Sequence, residues 1–233
     1  MYKRILVISD LHLPYNHPDV FEFLEEIKKV YKPSAVVLMG DETDGHSLSF
    51  HDHDPDLMAP KDELQTAITR LKWLYKIFPK AWVLESNHGS LIYRKQKVAG
   101  LPRFVFKSYN QVLQAPKGWR WVPDLTLKMS DGKSVYFCHG KTADVTKLSQ
   151  SMGMSAVQGH YHEKFKIEYW ANSTGLYWSM QSGCLIEDSS LAFAYNKVNL
   201  KRPLIGTGVI IDGQPKLIPM VLNKRGRWIG KLI

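Results

Sequence analysis

The chain has 233 residues, 44% hydrophobic and 23% charged, an ordinary soluble globular composition that excludes a fibrous or disordered class. No apolar run approaches the roughly 20 residues that span a bilayer, and the run opening "MYKRILVISD" is too short for a signal peptide, so no membrane attachment is expected. Two cysteines, Cys138 and Cys184, make no disulfide framework and are expected as free thiols in a reducing cytosol. The net charge is +9, and seven of those charges fall in the last 37 residues, where eight basic residues from Lys197 onward face one acid, Asp212. Such a bias favours polyanionic partners, nucleic acid first, against the plainer alternative of a solvated tail.

In chain order, "RILVIS" is a β-branched apolar run that predicts a strand buried on both faces. "HPDVFEFLEEIKKVY" predicts a helix with Pro18 in its first turn and an apolar stripe of Phe21, Leu24, Ile27 and Tyr31, stopped by Pro33. "AVVLMG" is a second buried strand, so the opening reads as a βαβ unit with parallel strands and a right-handed crossover. A loop, "DETDGHSLSFHDHDPDLMAP", leads to a helix from about 60 to 78 with the stripe Leu64, Ile68, Leu71, Leu74 or Tyr75, and Phe78. "AWVLES" is a third strand, and residues 90 to 123 carry no clean period.

From about Leu125 short strands dominate. "LTLKMS" and "SVYFCH" flank the hairpin signal Asp131-Gly132, and a short helix near 142 to 152 follows, with Asp144 on its exposed face. Further strands are expected at "SAVQGH", "KFKIEYW", 174 to 180, "LAFAYN", "GTGVIID" and "PKLIPMVL". "GTGVII" runs into a strand and is no phosphate loop. With no linker or repeat, the expectation is one α/β domain over residues 1–233, a two-sheet mixed β-sandwich flanked by helices, with a basic C-terminal portion from about 197.

The polar residues concentrate where strands end. Asp10 and His12 follow the first strand, Asp41 the second, and Asn87 with His88 the third. His139 ends "SVYFCH", and "QGHYH" places His160 and His162 after another strand. Ligands of parallel sheets bind beyond the carboxyl ends of strands. Seven oxygen and nitrogen donors exceed a catalytic triad and suit two metals sharing a carboxylate. Carboxylate with imidazole favours Mn, Fe, Zn, Ni or Co over Ca or Mg, and the lack of cysteine argues against a structural zinc site. Two divalent ions with Asp10, Asp41 and one hydroxide leave a positive centre that attracts phosphate. Cys138 reads as a small buried side chain.

"DLH…GDETD…SNHG…CHG…GHYH" resembles the calcineurin-like metallophosphoesterase superfamily, with its motifs in order. The resemblance implies that Asp10, His12, Asp41 and His162 hold one metal, and that Asp41, Asn87, His139 and His160 hold the other, with Asp41 bridging. It implies that His88 sits by the leaving-group oxygen as general acid or charge stabiliser, and that Asp44 is a support rather than a ligand. Two departures stand out: Gly89 replaces the acidic residue that often follows the histidine, and "DETDGHS" lacks the Asp-Arg-Gly of the protein phosphatases. His46, His51 and His53 are read as an active-site rim loop rather than a third metal site. Less specifically, "SLSF…DHDP" resembles a loop of phage and prophage members, which implies the cytoplasm of a bacterial or phage-infected cell.

The expected activity is hydrolysis of phosphodiesters by attack of a metal-bridged hydroxide, with two divalent ions, manganese preferred. The basic C-terminal portion and the basic, aromatic stretch at 90 to 109 point to DNA as substrate, that is, a nuclease. Tyr93, Arg94 and Arg103 are the candidate substrate contacts. The alternative is a small nucleotide or other small phosphoester as substrate, and a non-catalytic binding module ranks last because the ligand set is complete.

Overall fold

The computed structural model describes residues 1–50, 54–193 and 201–233. β1 (Arg4–Ile8) is central, and its alternate residues serve two cores: Ile5 and Val7 face one side, Leu6 and Ile8 the other, all essentially inaccessible to solvent. α1 (Val20–Tyr31) crosses to β2 (Ala35–Leu38), which pairs in parallel with β1. α2 (Pro60–Ile77) begins on Pro60 at its first turn, where a missing N–H costs nothing, and leads into β3 (Ala81–Leu84), parallel to β2.

Two details of these helices differ from expectation. α1 starts at Val20, so Pro18 lies in the turn before it; the Asp19 N–H is held by the His17 ring at 3.1 Å, and that turn cannot wind into helix. Its buried stripe is Val20, Phe23, Leu24 and Ile27, with Phe21 and Tyr31 half-buried at the edges. α2 buries Glu63 beside Ala67, Ile68, Leu71, Leu74 and Ile77.

The aperiodic region 90 to 123 holds α3 (Leu91–Val98), a 3-10 turn at Arg103–Val105, α4 (Tyr109–Val112) and β4 (Trp119–Val122). Elements of one or two turns are too short to print a period on the sequence. β4 pairs with β3 as an edge strand. β5 (Leu125–Lys128) and β6 (Ser134–Cys138) form the expected hairpin, with Gly132 at φ +84° in its turn.

α5 (Val145–Met152) begins on Asp144, which is its N-cap rather than part of its exposed face: the carboxylate accepts the Thr146 and Lys147 N–H groups at 2.9 and 3.1 Å. β7 (Ser155–Gln158), β8 (Phe165–Asn172) and β9 (Gly175–Ser182) follow, then β10 (Gly206–Ile211) and β11 (Gln214–Pro219). The strand expected at 191 to 196 is not one where it is described: 191–193 make a 3-10 turn, and 194–196 lie outside the described residues. Ser190 starts that turn, which tucks Ala192 and Phe193 against Tyr15, Cys184 and Ile186.

Among the described residues the strands form two mixed sheets, β11-β10-β1-β2-β3-β4 and β5-β6-β7-β9-β8. They pack face to face over a core that includes Ile5, Val37, Phe137, Val157, Met180 and Ile210. α1 and α2 cover the outer face of the first sheet, and α5 that of the second. The fold is therefore the helix-flanked two-sheet sandwich expected from the sequence. The basic C-terminal portion is largely built in: β10 pairs antiparallel to β1, and Arg227 and the Trp228 N–H bind the Asp19 carboxylate. No helix among the described residues is long and apolar enough to cross a membrane.

Candidate metal centre

Parallel pairing aligns the carboxyl ends of β1, β2 and β3 at one edge of the first sheet, and those of β6 and β7 at the facing edge of the second. The loops leaving these ends are strained. Asp10, His12, Asp41 and His160 have φ of 46°, 49°, 48° and 71°, values that L-residues adopt at a cost. Two glycines permit the crowding: a Cβ on Gly40 would meet the Ser86 Cβ at 2.6 Å, and one on Gly159 would meet the Asp10 Oδ2 at 2.9 Å.

Three groups of donor atoms result: two made of the ligands expected from the sequence, and a third in which Asp44 and His88 converge on His12. Asp10, His12 and His162 converge, with the Nε2 atoms of the two histidines 3.2 Å apart and the His162 Nε2 3.5 Å from the Asp10 Oδ1. Asp41, His139 and His160 form the second group, and the His139 Nε2 lies 2.7 Å from the Asn87 Oδ1. The first two groups meet at Asp41: its Oδ2 is 3.6 Å from the His12 Nε2 and 3.3 Å from the His139 Nε2. The structure thus brings together all seven residues singled out by their positions after strands.

Ring orientation is set by the nitrogens that face away. The His12 Nδ1–H donates to the Asp44 carboxylate at 2.7 Å, and the His139 Nδ1–H to the Met39 carbonyl at 2.8 Å. Each ring therefore presents its Nε2 to the cluster. Ligand atoms about 2.0–2.2 Å from one cation lie roughly 3.0–3.5 Å from each other, and the spacings here, from 2.7 to 3.6 Å, bracket that range. The donor set, carboxylate, carboxamide and imidazole without thiolate, fits divalent transition metals.

Electrostatics keep both carboxylates charged. Burial pushes the Asp41 carboxyl up, but the hydrogen bond from His139 and the neighbouring imidazoles outweigh it and hold the group well below its ordinary value. Asp10 is lowered likewise, burial being outweighed by His162 and His139. Burial lowers the His12 and His160 pKa values, which favours neutral imidazole. At His139 burial is overcome by the hydrogen bond and charge of Asp41, and the pKa rises to about 9; a cation there competes with that proton.

His88 stands at the rim of the first group. Its ring packs edge-on against that of His12 at 4.6 Å, and its main-chain N–H donates to the Asp41 Oδ1 at 3.1 Å. Its Nδ1 pairs with the Asp44 main-chain carbonyl at 2.5 Å, which supplies the support left open by Gly89. Sequence reasoning missed three residues that hold the loops. The Ser86 Oγ accepts the N–H groups of Asp41 and Gly89 at 2.9 and 3.1 Å. Glu63 accepts those of His46 and Ser47, tying the loop after β2 to α2. Glu42 is buried beside Asp41, and burial pushes its carboxyl up to about 7. A glutamate at an apolar helix position, as Glu63 is, was the one available signal; Ser86 and Glu42 carried none.

The candidate substrate contacts are not part of the donor groups: Tyr93 and Arg94 lie on α3 and Arg103 on the 3-10 turn after it. The Arg103 guanidinium sits 3.8 Å over the Tyr93 ring, and that of Arg94 4.8 Å over Phe50. His46 is held in the rim loop, its Nε2 accepting the Asp54 N–H at 3.3 Å, while His51 and His53 lie outside the described residues. Of the C-terminal cations, Arg227 is neutralised by Asp19 and Arg202 lies 3.7 Å from Asp188; Lys197 lies outside the described residues.

Among curated proteins, no sequence matches this chain. Solved structures share its fold at low identity. Vacuolar protein sorting 29 from Cryptosporidium parvum superposes with a TM-score of 0.53 at 13% identity, covering 100% of this chain and 95% of that one. Vps29 of Chaetomium thermophilum superposes at 0.50 and 11% identity, covering 99% and 94%. A family model, calcineurin-like phosphoesterase, matches residues 3–192, which includes every candidate ligand. With that match over most of its length and two donor groups meeting at Asp41, the chain belongs to the calcineurin-like phosphoesterase family.

Proposed function

We propose that this protein is a phosphodiesterase that works with two divalent ions, manganese preferred, and that its substrate is DNA. The observation that carries the reading is the shared Asp41: one carboxylate oxygen faces imidazoles of both donor groups while His88 stands at the rim. Bound ions would supply Lewis acidity and lower the pKa of a water molecule. The chain's own groups do the rest. Asp44 orients His12 by its carboxylate and His88 by its carbonyl, which leaves the His88 Nε2 as the atom that would stabilise or protonate a leaving oxygen. Support for a nucleic acid comes from the basic, aromatic layer around α3, where Arg94 and Lys95 lie over Phe50 and Arg103 over Tyr93.

A second reading, a small nucleotide as substrate, is favoured by the cavity of about 580 Å³ beside α3, a size suited to a small molecule. The test is hydrolysis of bis-p-nitrophenyl phosphate and of labelled single-stranded DNA, side by side, with manganese at low and high salt. Cleavage of both, with only the DNA reaction collapsing in salt, is expected. Cleavage of the small diester alone selects the second reading. No cleavage of either across a range of divalent metals overturns both.

A further inference from the structure

The 580 Å³ cavity is walled by the same loops that carry the metal-centre residues. Glu42 directly follows Asp41, and Ser86, Gly89 and Ser90 flank Asn87 and His88. Its outer wall is the stretch between α3 and α4, where two rings are left open to solvent, Phe104 at 88% and Phe106 at 42% exposure, while Tyr93 on α3 also lines it with Arg103 over its ring. Apolar rings clustered at the mouth of a cavity mark a binding surface rather than a tolerated accident. Arg103 and Lys107 line the same cavity, so its mouth is cationic as well as aromatic.

One polar group inside is left wanting a partner. Glu42 is 1% exposed; the Trp121 Nε1–H donates to its Oε1 at 3.0 Å, the Tyr109 hydroxyl beside the carboxylate pairs with the Thr43 hydroxyl at 2.7 Å, and the Oε2 is left without a well-formed hydrogen bond. A buried acceptor without a donor is costly, and a ligand that brings an N–H recovers that cost. Aromatic rings, cationic groups and one deep acceptor together fit a flat, anionic molecule with an amine on its edge.

We propose that this cavity is a nucleobase pocket that selects bases bearing an exocyclic amine: adenine, cytosine or guanine. The base stacks on the open rings, its amine donates to the Glu42 Oε2, and Arg103 and Lys107 face its phosphates. Thymine is disfavoured because its one ring donor, N3–H, lies between two carbonyl oxygens that face the carboxylate with like polarity. The inference rests on the phosphodiesterase reading only for why base and phosphate arrive together. The base belongs either to a free nucleotide or to the end of a strand.

The test is binding of deoxyadenosine monophosphate and thymidine monophosphate to the metal-free full chain, by calorimetry, with inorganic phosphate as the base-free control. The adenine nucleotide should bind on the order of tenfold tighter than the thymine one. Glu42→Gln should abolish that difference. Phe104→Ala, at a position too exposed to matter to the fold, should weaken the adenine nucleotide on the order of tenfold by removing a stacking face. Competition by an oligonucleotide ending in deoxyadenosine supports the pocket with a strand end as its source; binding of the mononucleotide alone supports it with a free nucleotide as its source. Equal binding of both nucleotides, or Phe104→Ala without effect, overturns the pocket. Because binding is read without metal or turnover, an inactive protein that discriminates bases would sink the phosphodiesterase reading and leave the pocket, and an active one that does not would do the reverse.

Discussion

The main-chain carbonyl of Asp44 accepts the Nδ1–H of His88 at 2.5 Å. The same residue's carboxylate accepts the Nδ1–H of His12 at 2.7 Å. One residue therefore orients both a candidate ligand and the rim histidine, through chemically separate groups. Asp44→Asn keeps the carbonyl and weakens only the His12 support. Metal affinity should fall about 10- to 100-fold, the usual cost of losing a ligand's outer partner, while His88 keeps its position. Metal titration of the variant checks this; unchanged affinity would mean that Asp44 acts on His88 alone.

Asp41 and His88 should separate in their effects. Asp41→Ala removes the oxygen shared by both donor groups, so metal content should drop for both ions and activity should vanish. His88→Ala leaves intact the two donor groups that meet at Asp41. Metal content should hold while the rate falls about 10²–10⁴-fold, least for p-nitrophenolate, a leaving group that needs no proton. Elemental analysis beside rate measurements decides; loss of metal in His88→Ala contradicts its assigned role.

Ser86 is a stability prediction. Its hydroxyl accepts two main-chain N–H groups, from Asp41 and Gly89, and the residue is buried. Ser86→Ala leaves both donors unsatisfied, at about 1–3 kcal/mol each. A loss of roughly 2 kcal/mol or more in urea unfolding is expected, with weaker metal binding because the Asp41 loop is freed. A variant as stable as the parent would show that another acceptor replaces the hydroxyl.

Asp19 links pH to stability. The hydrogen bonds of Arg227 lead the causes that hold its carboxyl below the ordinary value, against a smaller opposing effect of burial. The unfolded chain titrates near 3.9, at about the usual aspartate value. The stabilisation is therefore complete above about pH 4 and disappears as pH falls through the lower folded-state value. Asp19→Asn should destabilise the protein at pH 7, and the gap to the parent should close below about pH 4. A gap that persists at pH 2 would assign the effect to packing rather than charge.

Much of this protein was legible before its structure. β1, β2 and β3 announced themselves as apolar, β-branched runs, because a central strand is buried on both faces and can hold little else. The candidate donors were legible for a related reason: a polar residue directly after such a run has only the strand's carboxyl edge to occupy. α3, α4 and β4 were not, being too short to show a period, and neither was the N-cap role of Asp144, which depends on where α5 begins. Local sequence determined which side chains stand at which strand ends. Only the tertiary structure decided that one Asp41 oxygen faces His12 and His139, that a carbonyl replaces the missing acid behind His88, and that one oxygen of Glu42, a residue of the cavity wall, lacks a well-formed hydrogen bond. Those relationships join residues as far as 98 positions apart, and their distances follow from the packing of two sheets, which no window of sequence contains.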